Sequence, residues 1–342
     1  MNESRRAATP LSIILMATGP FALPTMRWLV DSPHDFRLWI TRPPRPSGRR
    51  QQLPHSPLRE LARQRAVPTW EPEDINAAES LERLREARAD LFIVCDYGRI
   101  LAADVLAAAR LGGINLHGSL LPKYRGAAPV QWALFHGESE TGVSVIHMSP
   151  KLDAGPILAQ IPTKIEADED AVTLERRLAQ MGVAAVETAI DRLAAWDGRS
   201  PLGTPQDDTL ATPAPRLRKE HGRIDFSRTA RQIVDQVRAM RPWPGTFTWW
   251  ERKPNRQVTL RIEQAQVVPE PASEAASPQR AESPPGTVLV AQDDRLWVQT
   301  GRGILSIVRL CPAGKRSMAA AEFLRGYRIE PGTRLGPPDE KS

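Results

Sequence analysis

The feature that most constrains the fold is the alternation of short strand patterns with helical patterns in the first half of the chain. Strand patterns stand at residues 11–16, 36–41, 91–95 and 114–117, and amphipathic helical stretches lie between them. Apolar strands that alternate with helices are typical of a parallel sheet with both faces covered. We therefore predict an α/β fold with a doubly wound, mostly parallel N-terminal sheet.

The strand at residues 114–117 carries two polar side chains on one face. Asn115 and His117 are two residues apart and point the same way, whereas Ile114 and Leu116 take the other face. His117 ends the strand, and open α/β sheets bind ligands beyond the carboxyl ends of their strands. A strand-end histidine is more often an imidazole whose hydrogen bonds are satisfied in the core or at the surface. The pair alone therefore leaves open whether these side chains have a structural role or form a ligand site.

Two later segments favour a site at this place. The loop after the strand displays apolar residues outside any periodic element, as expected for a slot that holds a flat ligand. The apolar residues are Leu120, Leu121 and Pro122, and the polar Ser119 leads into them. After a further apolar strand at residues 143–148, Asp153 stands in a turn that ends at Gly155. Because consecutive strands are frequently neighbours, Asp153 can arrive beside His117.

An amide, an imidazole and a carboxylate at one strand edge suit acyl transfer without a covalent enzyme intermediate. The amide of Asn115 can donate a hydrogen bond to the oxyanion of a tetrahedral intermediate. The imidazole of His117 can move a proton near neutral pH, and Asp153 can orient that imidazole. This chemistry requires neither a serine nor a cysteine nucleophile.

A long ungapped string around these residues resembles the methionyl-tRNA formyltransferase family. The string reads Asn115-Leu116-His117-Gly118-Ser119-Leu120-Leu121-Pro122-Lys123-Tyr124-Arg125-Gly126-Ala127-Ala128-Pro129, and Leu152-Asp153-Ala154-Gly155 follows it. Shorter strings of this kind occur across the folate-dependent formyltransferases, including those that act on glycinamide ribonucleotide and on sugar nucleotides. The Arg-Gly-Ala-Ala-Pro extension, with Pro-Trp-Pro at 242–244 and Pro-Ala-Gly-Lys at 312–315, resembles the tRNA enzymes in particular.

The resemblance implies transfer of a formyl group from 10-formyltetrahydrofolate to the amino group of initiator methionyl-tRNA. It implies that the loop of residues 119–122 helps to hold the folate, and that Asn115 and His117 stabilise the oxyanion. Asp153 would orient His117 and assist proton removal. A formyltransferase for a sugar nucleotide or another small amine is one alternative. A catalytically decayed tRNA-binding or folate-binding protein is another, suggested by the altered turn at residues 17–20 and by Asp96, where the family has a small residue.

Charge separates the first 204 residues from the rest of the chain. The first 204 residues hold 24 basic and 24 acidic side chains, so the remaining 22 basic and 16 acidic ones supply the whole net charge of +6. A basic C-terminal part fits a polyanionic partner. We predict a catalytic domain at 10–200, a linker at 201–215 and an OB-like β-barrel that binds tRNA at 216–335, interrupted by a mobile insertion at 269–285.

The sequence also argues against several classes of protein. Two isolated cysteines, Cys95 and Cys311, form neither a disulfide framework nor a metal site, and no metal-ligand spacing occurs among the histidines. The apolar run at residues 11–17 is short for an export signal, and no run is long enough for a membrane span. We therefore expect a cytoplasmic protein with reduced thiols, without a bound metal, and a monomer by default.

The loop after the second strand predicts a contact with tRNA. Residues 42–50 carry four arginines among prolines and glycine, and the family resemblance places Arg45 against the acceptor end of the tRNA. We expect Arg45→Ala to raise KM for methionyl-tRNA with little change in kcat, measured by steady-state formylation at varied tRNA concentration. An unchanged KM would place the contact elsewhere.

Overall fold

The structure, a computed structural model, forms two compact units. It describes residues 10–44, 55–254, 256–269 and 283–337. The first unit contains the chain up to Pro129 together with Glu140–Ile165 and Leu174–Pro215. The second contains Val130–Ser139, Glu166–Thr173 and the chain from Arg216 onward. Arg45, most of its loop and most of the predicted insertion, at residues 270–282, lie outside the described residues.

The first unit is built on a seven-stranded mixed sheet with the order β3-β2-β1-β4-β5-β6-β7. Its strands are β1 Ser12–Ala17, β2 Asp35–Ile40, β3 Thr69–Trp70, β4 Leu91–Cys95, β5 Gly113–His117, β6 Glu140–His147 and β7 Ile157–Lys164. The first five strands are parallel, and β6 and β7 add antiparallel to them. The prediction of a doubly wound, mostly parallel sheet is confirmed.

Six helices are seen in the described residues before the C-terminal part. They are α1 Leu23–Asp31, α2 Pro57–Gln64, α3 Ala78–Glu86, α4 Ala103–Leu106, α5 Pro129–Phe135 and α6 Ala171–Ala194. The long helix α6 covers one face of β5, where a Cβ on Gly182 would lie 2.6 Å from a methyl carbon of Leu116. Because Leu116 faces α6, the neighbouring Asn115 and His117 face away from it.

The second unit contains a curled antiparallel sheet with the order β10-β11-β12-β9-β8 and a short β13 on β12. Its elements are α7 Ala230–Ala239, β8 Thr246–Lys253, β9 Arg256–Val267, β10 Val288–Gln292, β11 Arg295–Gln299, β12 Ile304–Pro312, β13 Met318–Ala319 and α8 Ala320–Gly326. Residues 332–336 link the two edges: Val288 N donates to Thr333 O at 2.8 Å, and Gly336 N donates to Trp249 O at 3.0 Å. The predicted small β-barrel is confirmed as a half-barrel.

Two features are absent from the part of the chain that the structure describes. No helix within the described residues combines the length and the apolar character that crossing a bilayer requires. In the same part of the chain, no group of three or more histidine, cysteine or carboxylate side chains is arranged to hold a metal ion.

A buried ion pair anchors α7 in the second unit. Asp235 and Arg238 are 3% and 8% exposed, and Arg238 Nη2 donates to Asp235 Oδ1 at 2.7 Å. The same guanidinium donates through Nη1 to the carbonyls of Glu166, Ala167 and Glu169 at 3.0–3.2 Å. Arg238 therefore joins α7 to the turn that precedes α6. Its burial depends on the carboxylate of Asp235, which balances its charge.

Loss of the carboxylate should destabilise the second unit because it leaves a buried guanidinium unpaired. We expect Asp235→Ala to lower the free energy of unfolding by about 3 kcal/mol, measured by urea denaturation followed by tryptophan fluorescence. Glu60→Ala is the matched control, since it removes an exposed pair with Arg63 and should leave the midpoint almost unchanged. Equal effects of the two substitutions would refute a special role for the buried pair.

Candidate active site

Three chain segments meet on the face of β5 that α6 leaves open. They are β5 itself, the loop of residues 118–128 that follows it, and the turn of residues 149–155 that follows β6. Strand register explains the meeting, because β6 runs antiparallel beside β5 with Ser144 opposite His117 and His147 opposite Ile114. The chain leaving β6 then folds back over the Asn115 face.

The structure brings Asn115, His117 and Asp153 together, as the sequence predicts. Asn115 Nδ2 donates to Asp153 Oδ1 at 3.2 Å, and the backbone N–H of Gly126 donates to Asp153 Oδ2 at 2.9 Å. His117 Nδ1 lies 3.8 Å from Asp153 Oδ2, close enough for an ionic contact but too far for a direct hydrogen bond. The side chains of His117 and Asp153 are only 6% and 10% exposed.

A backbone carbonyl fixes the tautomer of the imidazole. His117 Nε2 lies 2.8 Å from Tyr124 O, and a carbonyl only accepts, so Nε2 carries a proton and donates it. In the neutral ring Nδ1 is then an acceptor that faces the carboxylate of Asp153. A substrate group that carries a proton can therefore donate to either acceptor.

The loop predicted to hold the folate is fixed from below by a polar network. Ser144 Oγ donates to Ser119 O at 2.7 Å and accepts from Leu121 N at 3.0 Å. Gln160 Nε2 donates to Ser144 Oγ and to Leu121 O, each at 2.9 Å. The network holds the backbone of the loop in place through the carbonyl of Ser119 and both backbone groups of Leu121.

The four predicted loop residues differ in their exposure. Ser119 and Leu121 are buried, and the hydroxyl of Ser119 donates to Lys123 O at 2.7 Å inside the loop. Leu120 and Pro122 are half-buried and keep part of their surface free. Sequence reasoning missed Ser144 and Gln160, and the available signal was a polar residue inside an apolar run of each strand, at residues 143–146 of β6 and 157–161 of β7.

Three residues around the site adopt the left-handed backbone conformation, which residues other than glycine rarely adopt. The φ angles are 49° at Asp96, 63° at Tyr124 and 48° at Asp153, and each residue follows a strand of the sheet. Such a conformation costs about 1–2 kcal/mol per residue. Backbone strain of this kind persists where surrounding contacts enforce it, and it is concentrated at functional sites.

Two departures from the family pattern, Gly19 and Asp96, fit each other. The backbone N–H groups of Thr18 and Gly19 donate to Asp96 O at 3.1 and 3.2 Å, which joins the ends of β1 and β4. A Cβ on residue 19 would overlap the carboxylate of Asp96. Glycine at position 19 therefore makes room for the acidic side chain at position 96.

The carboxyl of Asp96 titrates close to physiological pH. One side of the residue faces solvent, but the crowded corner against Gly19 makes ionisation costly. Desolvation raises the pKa of Asp96 to about 6, and the Arg42 guanidinium opposes that rise.

Comparisons with known proteins give the class and then the family. Residues 13–190 match the family model described as formyl transferase, and residues 216–328 match the model described as formyl transferase, C-terminal domain. The chain is thus a formyl transferase with both characteristic domains. It is 44% identical to the methionyl-tRNA formyltransferase of Rhodopirellula baltica, covering 97% of this chain and 99% of that one. It is 37% identical to that of Geobacter sulfurreducens, covering 95% and 97%. The chain belongs to the methionyl-tRNA formyltransferase family.

Solved structures share the fold at low sequence identity. The N-formyltransferase from Helicobacter canadensis, in complex with folinic acid and dTDP-3-aminofucose, matches with a TM-score of 0.61 and 16% identity over 87% of this chain and 98% of its own. HypX from Aquifex aeolicus, in complex with tetrahydrofolic acid, matches with a TM-score of 0.56 and 17% identity over 94% of this chain and 49% of its own. These likenesses confirm the fold.

The pKa of Asp96 predicts a pH dependence of stability. The carboxyl ionises near pH 3.8 when unperturbed and near 6 in the folded protein, so its contribution to stability falls as pH rises through this window. We expect the melting temperature of Asp96→Asn to be closest to that of the wild type near pH 4 and to exceed it at pH 7, as measured by thermal unfolding.

Asp207→Asn provides a control of opposite sign. A hydrogen bond from Thr209 lowers the pKa of Asp207, so this carboxylate stabilises the fold above its unperturbed pKa and the benefit is lost in acid. The Asp207 variant should therefore melt below the wild type at pH 7. A pH-independent difference for Asp96→Asn would contradict the assignment.

Proposed function

We propose that this protein transfers the formyl group of 10-formyltetrahydrofolate to the amino group of methionyl-tRNA for translation initiation. The observation that carries the proposal is the meeting of Asn115, His117 and Asp153 on the open face of β5. Full-length relatives of the methionyl-tRNA formyltransferase family support the substrate pair.

The amide of Asn115 supplies the electrostatic part of catalysis. One N–H of its NH₂ group donates to Asp153, which fixes the orientation of the amide and leaves a second N–H for the substrate. When the amine attacks the formyl carbon, negative charge develops on the formyl oxygen. A donor that is already held in position stabilises this oxyanion without reorganisation during the reaction.

His117 and Asp153 move the proton. The attacking amine must lose one proton and the leaving nitrogen of tetrahydrofolate must gain one. His117 Nδ1 accepts the proton from the amine, since Nε2 is engaged with Tyr124 O. The resulting imidazolium faces the carboxylate of Asp153, and it can return the proton to the leaving nitrogen.

The chemistry of the acceptor limits what the enzyme has to supply. The amine of an aminoacyl ester is weakly basic, so much of it is already neutral near pH 7. Deprotonation before attack is therefore a small task. The larger tasks are stabilising the oxyanion and protonating the leaving nitrogen.

The loop of residues 119–122 is proposed to hold the folate. Leu120 and Pro122 keep part of their apolar surface exposed, while the Ser144 and Gln160 network holds the loop backbone. Arg45 and the basic C-terminal part are proposed to contact the tRNA phosphates. Preference for the initiator tRNA, a cytoplasmic location and the monomeric state remain predictions that belong to this proposal.

The catalytic roles predict a loss of kcat rather than of binding. We expect Asn115→Ala to lower kcat by about 10²–10³ and His117→Ala by about 10²–10⁴, with small changes in both KM values. The measurement is formylation of methionyl-tRNA at saturating formyl donor. His147→Gln is the matched control, because this second histidine of the sheet also meets a backbone carbonyl, Leu111 O at 3.0 Å, but pairs with the start of β5.

A second arm of the same assay separates the alternatives. Formylation should require aminoacylated tRNA and weaken with added salt, as contacts with phosphates do. Equal turnover of an amino sugar nucleotide without tRNA would favour the small-amine alternative. Absence of any single-turnover product from methionyl-tRNA would favour the decayed protein. Wild-type kcat in both Asn115→Ala and His117→Ala would refute the assigned roles.

A further inference from the structure

Residues 204–214, which we call the strap, lie along the two loops that form the site. At its start, Thr204 and Ile157 of β7 exchange backbone hydrogen bonds at 2.8 and 2.9 Å. At its end, Arg125 N donates to Thr212 O at 2.8 Å, and Ala214 N donates to Arg125 O at 2.7 Å. The composition of this segment suggests a linker, yet its backbone is paired at both ends within the first unit.

One half-buried side chain of the strap, Gln206, joins the two loops directly. Gln206 Nε2 donates to the carbonyls of Asp153 and Gly155, both at 2.8 Å. Gln206 Oε1 accepts from Arg125 Nε at 3.1 Å and from Arg125 Nη2 at 2.8 Å. The amide thus uses its donor end on the turn after β6 and its acceptor end on the loop after β5.

Arg125, one hydrogen-bond partner of Gln206, is shielded from solvent. The side chain of Arg125 is only 11% exposed, so its hydrogen bonds are shielded from competing water. Asp208 also joins the two loops, because it accepts from Arg125 Nη1 at 2.8 Å and pairs with Lys151 of the turn after β6, but it is 58% exposed and such surface pairs contribute little. Gln206 is therefore the less exposed of these two side-chain connections from the strap to both loops.

The two loops must keep their relative position for Asp153 to function. The N–H of Gly126, next to Arg125, donates to Asp153 Oδ2, and the same carboxylate faces His117. Asp153 also holds a left-handed conformation, with a φ of 48°, that needs external support. On the other side, a Cβ on Gly126 would lie 2.5 Å from Ala214 O, so the strap packs closely against this loop.

We infer that Gln206 is a positioning residue for formyl transfer, which sets the distance between the Asp153 carboxylate and the His117 imidazole. This inference rests on the proposed function. Gln206 acts by holding the backbone of Asp153 on one side and the Arg125–Gly126 loop on the other. It does not touch the reacting atoms, so its loss should affect turnover while substrate binding persists.

The decisive variant is Gln206→Glu. A glutamate still accepts from Arg125, but it presents an oxygen instead of an NH₂ group to the carbonyls of Asp153 and Gly155. The turn of residues 149–155 then loses the two hydrogen bonds from residue 206, whereas Arg125 keeps its acceptor. Because small misplacements of catalytic groups cost up to about 10²-fold, we expect kcat to fall roughly 10- to 100-fold.

The expected pattern separates positioning from a general structural role. Both KM values and the melting temperature should stay near those of the wild type, and the pH profile of kcat should change because the carboxylate no longer faces His117 at a fixed distance. Gln206→Ala should lose at least as much turnover. Asp207→Asn, the neighbouring substitution on the exposed side of the strap, should retain wild-type kcat, since within the described residues the carboxylate of Asp207 accepts hydrogen bonds from Thr209 alone.

Several outcomes would overturn the inference. They are wild-type kcat and an unchanged pH profile in Gln206→Glu, an equal loss in Asp207→Asn, and a loss of kcat accompanied by similar rises in both KM values. If Gln206→Ala unfolds, Gln206→Glu and Gln206→Asn are compared with the wild type at a temperature where all three remain folded, and both should show the loss of kcat. Failure of the proposed function is distinguishable, because the wild type would then not formylate methionyl-tRNA at all.

Discussion

The carboxylate of Asp153 accepts hydrogen bonds from the side chain of Asn115 and from the backbone of Gly126, and it faces the imidazole of His117. An ionised carboxylate that is only 10% exposed is costly unless donors satisfy it, so these contacts hold the turn over β5. The same contacts give Asn115 its orientation. The chemistry of the site therefore depends on where one turn of the chain is held.

Local conformation alone does not hold that turn. Asp153 and Tyr124 both have left-handed backbones, and each supplies a group that His117 contacts or faces. Tertiary contacts offset this local cost: Ser144 and Gln160 fix the loop of residues 118–128 from the adjacent antiparallel strands, and Gln206 fixes it from the strap. The added strands β6 and β7 thus do more than extend the sheet, because they carry the polar side chains that support the site.

The sequence predicts the parts of this arrangement that follow from periodicity and topology. Alternation with period two places Asn115 and His117 on one face, and adjacency of consecutive strands brings Asp153 to them. It does not predict the carbonyl of Tyr124 as the partner of His117, because every residue has a backbone carbonyl and the residue type does not show where that carbonyl lies. It also misses Gln206, since a proline-rich polar stretch reads as a linker whatever its side chains contact. Gly19 and Asp96 are each visible as departures, but their contact becomes apparent only when β1 and β4 are adjacent.

The contact between Gly19 and Asp96 couples the two positions. A side chain at position 19 would overlap the carboxylate at position 96, so it requires either that the carboxylate rotates away or that position 96 becomes small. A small residue at position 96 carries no such requirement, because it is compatible with glycine at position 19. The fitness effect of a replacement at position 19 therefore depends on which residue stands at position 96.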